Sequence, residues 1–161
     1  MDKFKPLSEL RRIIAAEKAL GKSVVLANGC FDLFHVGHIR YLRAARAKGD
    51  ILVVALNSDA SVRKLKGKGR PVLPQQERAE ILASFSFVDY VTVFNEPMAT
   101  KVLLALKPDV HVKGSDYSRE TVPERETVRA YGGRVAIVGG PKIRNTSQVI
   151  RDIAARMRKE T

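Results

Sequence analysis

From residue 7 to residue 20, apolar side chains fall at Leu7, Leu10, Ile13, Ile14 and Ala16. That spacing marks one face of a helix, with Ser8 as its cap and Gly21 as its stop. Residues 23–27 are a short β-branched run, which predicts a buried strand. Residues 28–35 then read as a loop, and 36–48 as a helix stopped by Gly49. A second strand is predicted at 50–57. Residues 58–70 are polar and rich in Lys, Arg and Gly, and they read as a flexible loop. Further along, helices are predicted at 75–85, 99–106, 123–131 and 146–158. Strands are predicted between them at 90–94, 110–113 and 134–138.

Five short strands alternating with helices predict an α/β fold with a doubly wound, five-stranded parallel sheet. Residues 1–161 read as one domain, with 1–22 as an N-terminal helical extension. In such a sheet ligands sit beyond the carboxyl ends of the strands, near the point where strand order reverses. Functional residues are therefore expected just after the first, second, fourth and fifth strands.

Composition narrows the classes. The 161 residues carry 29 Lys and Arg against 17 Asp and Glu, a net charge of +12. Such an excess favours a polyanionic ligand: nucleic acid, a membrane surface or small phosphorylated molecules. A single cysteine excludes an internal disulfide and a Cys-only metal site. It suits a reducing compartment, so a cytoplasmic protein is expected. No apolar run approaches the ~20 residues that span a bilayer, and the first ten residues lack a secretory apolar core. Membrane association is therefore not expected. A nucleic-acid-binding module remains an alternative on charge. Aromatics at 6% with no Trp leave little for base stacking, and no RNP, KH or zinc-finger pattern is present, so no stable nucleic-acid partner is expected.

The chemistry concentrates after the first strand. His35-Val36-Gly37-His38 places two of the three histidines at a strand-to-helix turn. Gly37, lacking a Cβ, lets a phosphate approach the backbone, and the helix N-terminus offers free N–H groups and the positive dipole end. Both imidazoles can reach a ligand resting there and meet charge developing on phosphorus. A metal site is the weaker reading, because no nearby Cys or further His completes one. Arg63, Lys64, Lys66, Lys68 and Arg70 have no acid among them. With Gly67 and Gly69 they read as a mobile cationic loop able to close on a triphosphate. Lys113-Gly114 at a strand end, with Lys142 and Arg144 beyond the fifth strand, adds cations at the same sheet edge. Asp116 can accept from sugar hydroxyls. Arg78, at a helix start, can bind phosphate or serve structure. His111 alternates within a strand pattern and reads as structural.

Together, Asn28-Gly29-Cys30-Phe31-Asp32 and His35-Val36-Gly37-His38 resemble the G-x-F-D-x-x-H-x-G-H signature of the cytidylyltransferase-like nucleotidyltransferases. The resemblance continues through Leu56-Asn57-Ser58-Asp59, Arg70-Pro71, Gln76-Glu77-Arg78 and Val88-Asp89. It ends in Asp109-Val110-His111-Val112-Lys113-Gly114-Ser115-Asp116-Tyr117 and covers residues 23–153. Within the family it is most similar to heptose 1-phosphate adenylyltransferases, which make ADP-heptose for lipopolysaccharide. In many bacteria these are fused to a sugar kinase, and this chain resembles the stand-alone form. Two positions depart from the pattern: Asn145 replaces the first hydroxyl of the terminal motif, and Ser115 replaces a second glycine.

The resemblance implies a Rossmann-like fold and transfer of AMP from ATP to a sugar 1-phosphate, releasing pyrophosphate. Mg²⁺ would be held mainly by the triphosphate. The implied catalytic residues are His35, His38 and Lys66. Nucleotide binding is implied for Asn28, Gly29, Cys30, Phe31, Gly37, His38, Lys113, Gly114, Asp116, Arg144, Thr146 and Ser147. Substrate binding is implied for Asp32, Asn57, Asp59, Lys64, Arg70 and Arg78. The family often forms dimers, so a homodimer is implied. The same-class alternative is a CTP-dependent enzyme acting on glycerol 3-phosphate or a similar alcohol phosphate.

Overall fold

The computed structural model describes residues 2–141 and 144–159; Lys142 lies outside them. Five parallel strands form one sheet: β1 (Val24–Gly29), β2 (Ile51–Asn57), β3 (Tyr90–Phe94), β4 (Val110–Lys113) and β5 (Arg134–Ile137). Their spatial order is β3-β2-β1-β4-β5. The order reverses between β1 and β4, so the crevice expected of a doubly wound sheet opens above that pair.

The described residues form seven helices: α1 (Leu7–Ala19), α2 (Val36–Arg46), α3 (Asp59–Lys66), α4 (Gln75–Ser84), α5 (Thr100–Leu106), α6 (Arg125–Ala130) and α7 (Thr146–Met157), of which α7 buries no residue. The strand pleat divides the core in two. Val25, Ala27, Leu52 and Val54 face Leu42 and Ala45 of α2 and Ala79 and Leu82 of α4. Val24, Leu26 and Val53 face α1, α5 and α6 through Leu10, Ile14, Val102, Leu103 and Val128. Both faces of β2 are buried, which explains its unbroken apolar run.

Three expectations change. Leu10 and Ile14 are buried against the sheet, so the first helix is part of one covering layer and not an extension. Pro6, not Ser8, occupies the α1 N-cap, and no side chain caps that end. The segment 58–70 is not all loop, because residues 59–66 form α3. Ser58 caps α3 by accepting from the Ser61 N–H, Asp59 sits in its first turn, and Arg63, Lys64 and Lys66 sit in its last. That charge order complements the helix dipole, a signal outweighed in the sequence by polarity and neighbouring glycines. No described helix is long and apolar enough to cross a membrane.

Candidate active site

A cleft of about 740 Å³ opens over the carboxyl ends of β1, β2, β4 and β5. It gathers Asn28, Gly29, Cys30 and Phe31 from the end of β1, and His35, Gly37 and His38 from the α2 entry. Asn57, Lys66 and Arg70 join from the β2 side, Lys113, Gly114 and Asp116 from β4, and Arg144, Thr146 and Ser147 from the α7 entry. Residues up to 119 positions apart in sequence thus share one wall because each ends a strand or starts a helix at the same edge.

His35 is the N-cap of α2, and His38 is its third residue. The two form a reciprocal capping arrangement in which His38 Nδ1 accepts from the His35 N–H at 3.4 Å. Their rings stack 3.8 Å apart. Gly37 makes this possible, since a Cβ there would come within 2.9 Å of the His35 ring. The missing Cβ therefore makes room for the imidazole, and Gly37 itself lines the cleft. His38 also meets Phe31 and Phe34 edge-on, each at 5.3 Å. Burial, reinforced by the neighbouring His35, pushes its pKa down to about 4. His38 is therefore neutral at physiological pH. With Nδ1 accepting, its proton sits on Nε2 as a hydrogen-bond donor, not as half of a cationic pair.

On the far wall, the Lys113 ammonium lies 3.5 Å from the buried Glu124 carboxylate and 5.3 Å from the centre of the Tyr117 ring. Burial lowers its pKa, and Glu124 opposes that shift. The cleft carries six cations, Arg40, Lys66, Arg70, Lys113, Arg144 and Arg151, against the carboxylates of Asp116 and Glu124. Arg40, Arg151 and Glu124 escaped the sequence reading. Arg40 lies two residues past His38, and Arg151 one helical turn past Ser147; both spacings were available as signals. Glu124 carried none, because an acid in a short helical stretch looks like a solvated one. At the α7 entry, Asn145 accepts from the Gln148 N–H at 2.8 Å, so the residue that departs from the hydroxyl pattern is the helix cap. Thr146 Oγ1 donates to the Leu33 carbonyl at 3.3 Å. Cys30 lines the cleft, and burial raises its thiol pKa, which keeps it protonated and a poor nucleophile.

Four residues assigned to the substrate are used differently. Asp32 is 1% exposed and is consumed by the protein: it pairs with Arg70 Nε at 2.6 Å and accepts from the Val72 and Leu73 N–H groups. It ties down the segment that follows α3. Arg78 is fully buried and donates to the carbonyls of Leu73, Cys30 and Asn57 and to Asp59 Oδ1. Asp59 is thereby committed to Arg78, and neither residue lines the cleft. Lys64 is exposed on α3 and does not line it either. Arg70 does line it, with Nη1 3.5 Å from Ser147 Oγ.

A family model described as cytidylyltransferase-like matches residues 26–154. The chain belongs to that family. It is thereby a nucleotidyltransferase, in agreement with the signature loop and the Rossmann-like sheet. It is 53% identical over 151 residues to the bifunctional protein HldE of Geobacter sulfurreducens, covering 94% of this chain and 31% of that one. It is 48% identical over 154 residues to the bifunctional protein HldE of Syntrophotalea carbinolica, covering 96% of this chain and 31% of that one. The chain thus spans about a third of the length of these relatives. Among solved structures it resembles the lipopolysaccharide core biosynthesis protein of Thermoplasma volcanium. The TM-score is 0.61 at 30% identity, over 73% of this chain and 95% of the other. A pantoate-beta-alanine ligase from Francisella tularensis, at 14% identity and TM-score 0.61 over 89% of this chain and 68% of the other, shares the fold.

The buried imidazoles have a consequence for stability. His38 and His111 are both depressed from 6.5 to about 4, chiefly by burial, with His35 and Lys113 respectively adding to it. The unfolded chain therefore binds protons that the folded family fold refuses. The stability contributed by these two neutral imidazoles is fully present above about pH 6.5 and is lost as pH falls towards about 4. Melting temperatures followed by circular dichroism should be level at neutral pH and decline through that window. A melting temperature that rose on acidification would contradict the neutral assignment.

Proposed function

We propose that the cleft transfers AMP from ATP to heptose 1-phosphate, giving ADP-heptose and pyrophosphate. The observation that carries this reading is the meeting of the His35–His38 turn at the α2 N-terminus with six cations in one cleft. A triphosphate and a sugar phosphate together need that much positive charge. The printed names of the relatives support the acceptor. A bifunctional protein of which this chain matches about a third fits one of two linked activities, and a lipopolysaccharide core biosynthesis protein fits a product destined for lipopolysaccharide.

In this mechanism an oxygen of the sugar phosphate attacks the α-phosphorus in line. The bond from the α-phosphorus to the bridging oxygen breaks, and pyrophosphate leaves with the electron pair. The attacking phosphate is already anionic, so no general base is required, and catalysis rests on positioning and charge stabilisation. His38 donates from Nε2 to a phosphoryl oxygen, and His35 holds the ring that sets it. Lys66 and Arg70 meet charge on the leaving pyrophosphate, and Lys113 contributes to binding the nucleotide. The described residues include no group of three or more His, Cys, Asp or Glu able to hold a metal ion. In this reading Mg²⁺ would enter with ATP, held mainly by phosphates and water, and would supply charge neutralisation at the triphosphate. The proposal extends to a cytoplasmic homodimer.

Pyrophosphate release measured with ATP or CTP, each paired with heptose 1-phosphate or glycerol 3-phosphate, tests the reading. Turnover is expected with ATP and heptose 1-phosphate. Turnover confined to CTP with glycerol 3-phosphate would sink it.

A further inference from the structure

Strand pleating sends His111 of β4 and Asn28 of β1 to the same face of the sheet. Leu26 pairs with His111 in the β1–β4 register, and Leu26 belongs to the cluster under α1, α5 and α6. Asn28, two residues on, points the same way. His111 is fully buried, and its Nε2 lies 3.0 Å from Asn28 Oδ1. Asn28 itself is half-buried and lines the cleft. The pair therefore joins a group with no access to ligand to one that has it.

From this geometry we infer that His111 is a positioning residue for the proposed nucleotidyl transfer, acting through Asn28. Oδ1 can only accept, so His111 must donate from Nε2–H. This tautomer leaves Nδ1 as a bare lone pair, and Nδ1 has no hydrogen-bond partner among the described residues. The opposite arrangement, with the carboxamide reversed, would bury an Nδ1–H without an acceptor. An orphaned donor costs more than an orphaned lone pair in this setting. The imidazole thus selects one carboxamide orientation. Oδ1 faces the sheet interior, and the Nδ2 hydrogens face the cleft as donors to an acceptor oxygen of the nucleotide. Lys113 and Glu124, the charged groups that act on His111 electrostatically, do not replace the donor. Without His111 the carboxamide can rotate and present an acceptor to the polyanion.

The inference rests on the nucleotidyl-transfer reading, so its test has two separable parts. The first needs no turnover: nitrogen-15 shifts of the His111 ring in the full chain should show a protonated Nε2 and an unprotonated Nδ1. The reverse tautomer would overturn the inference whatever the enzyme's substrate. The second compares His111→Leu, His111→Gln, Asn28→Ala and the double variant His111→Leu with Asn28→Ala, using pyrophosphate release. Loss of the oriented donor should lower kcat/KM about 10-fold in His111→Leu, the cost of roughly one hydrogen bond. His111→Gln, whose amide nitrogen can occupy the same place, should stay within about 3-fold of the parent. If His111 acts only through Asn28, the double variant should match Asn28→Ala within about 2-fold. Multiplying losses, or a His111→Leu enzyme equal to the parent, would overturn the positioning role. Melting temperatures of all four variants separate misfolding from misorientation, since a misoriented carboxamide lowers kcat/KM in protein that is still folded at the assay temperature, and a His111→Leu loss explained by unfolding would overturn the positioning role.

Discussion

His38→Ala should lower kcat for pyrophosphate release by ~10²–10³, the usual loss when one preorganised donor to a developing charge is removed. The reason lies in the way α2 begins. His38 Nδ1 is occupied by the His35 N–H, its ring is held edge-on by Phe31 and Phe34, and it stacks on His35. Burial keeps it neutral, with a pKa of about 4, so its one remaining polar atom is a fixed N–H at Nε2. A donor held this way pays no reorganisation cost as charge builds on phosphorus. KM for ATP should change less than kcat, because the six cleft cations hold the ground-state triphosphate. His38→Asn keeps a shorter donor and should recover part of the loss. A His38→Ala enzyme with kcat near that of the parent would remove His38 from the transition state.

The largest effect on stability should come from Arg78→Met. A buried guanidinium is not in itself stabilising, but removing one partner of a buried, fully bonded charge costs roughly 3–5 kcal/mol. Arg78 is fully buried and makes four hydrogen bonds, at 3.0 Å to Leu73, 2.6 Å to Cys30, 2.9 Å to Asn57 and 2.7 Å to Asp59. It therefore ties the ends of β1 and β2, the first residue of α3 and the turn before α4 to one planar group. Methionine fills much of the volume and leaves three carbonyls and the Asp59 carboxylate without that donor. Arg78→Lys should not rescue, since one ammonium cannot span the fork. Urea unfolding should show a lower midpoint with an unchanged slope. A change below about 1 kcal/mol would mean that the clamp is dispensable. The cleft should suffer as well, because Cys30 and Asn57 line it.

These two residues mark the boundary between what was legible early and what was not. His38 announces itself because the turn, its glycine and both imidazoles are contiguous, and a contiguous motif carries its chemistry wherever the chain goes. Arg78 does not, because an arginine in the first turn of a helix looks the same whether it meets a phosphate or three carbonyls. Asp32 and Asp59 fall on the wrong side for the same reason. Their partners lie 38 and 19 residues away, and a carboxylate consumed by the protein has the same local surroundings as one awaiting a sugar. The helix α3 was hidden by competing local signals, with its cap and dipole charges on one side and polarity and glycines on the other.

By itself, then, the order of residues determined the alternation of strands and helices, the parallel sheet, the signature turn and the family, since each is written in spacing a few residues long. Only the tertiary structure decided which charged groups face the cleft and which are spent on the scaffold. It admitted Arg40, Arg151 and Glu124, withdrew Asp32, Asp59, Lys64 and Arg78, and fixed His38 as a neutral donor. The physical reason is that protonation, burial and pairing belong to neighbours in space. A doubly wound sheet draws those neighbours from loops scattered along the whole chain.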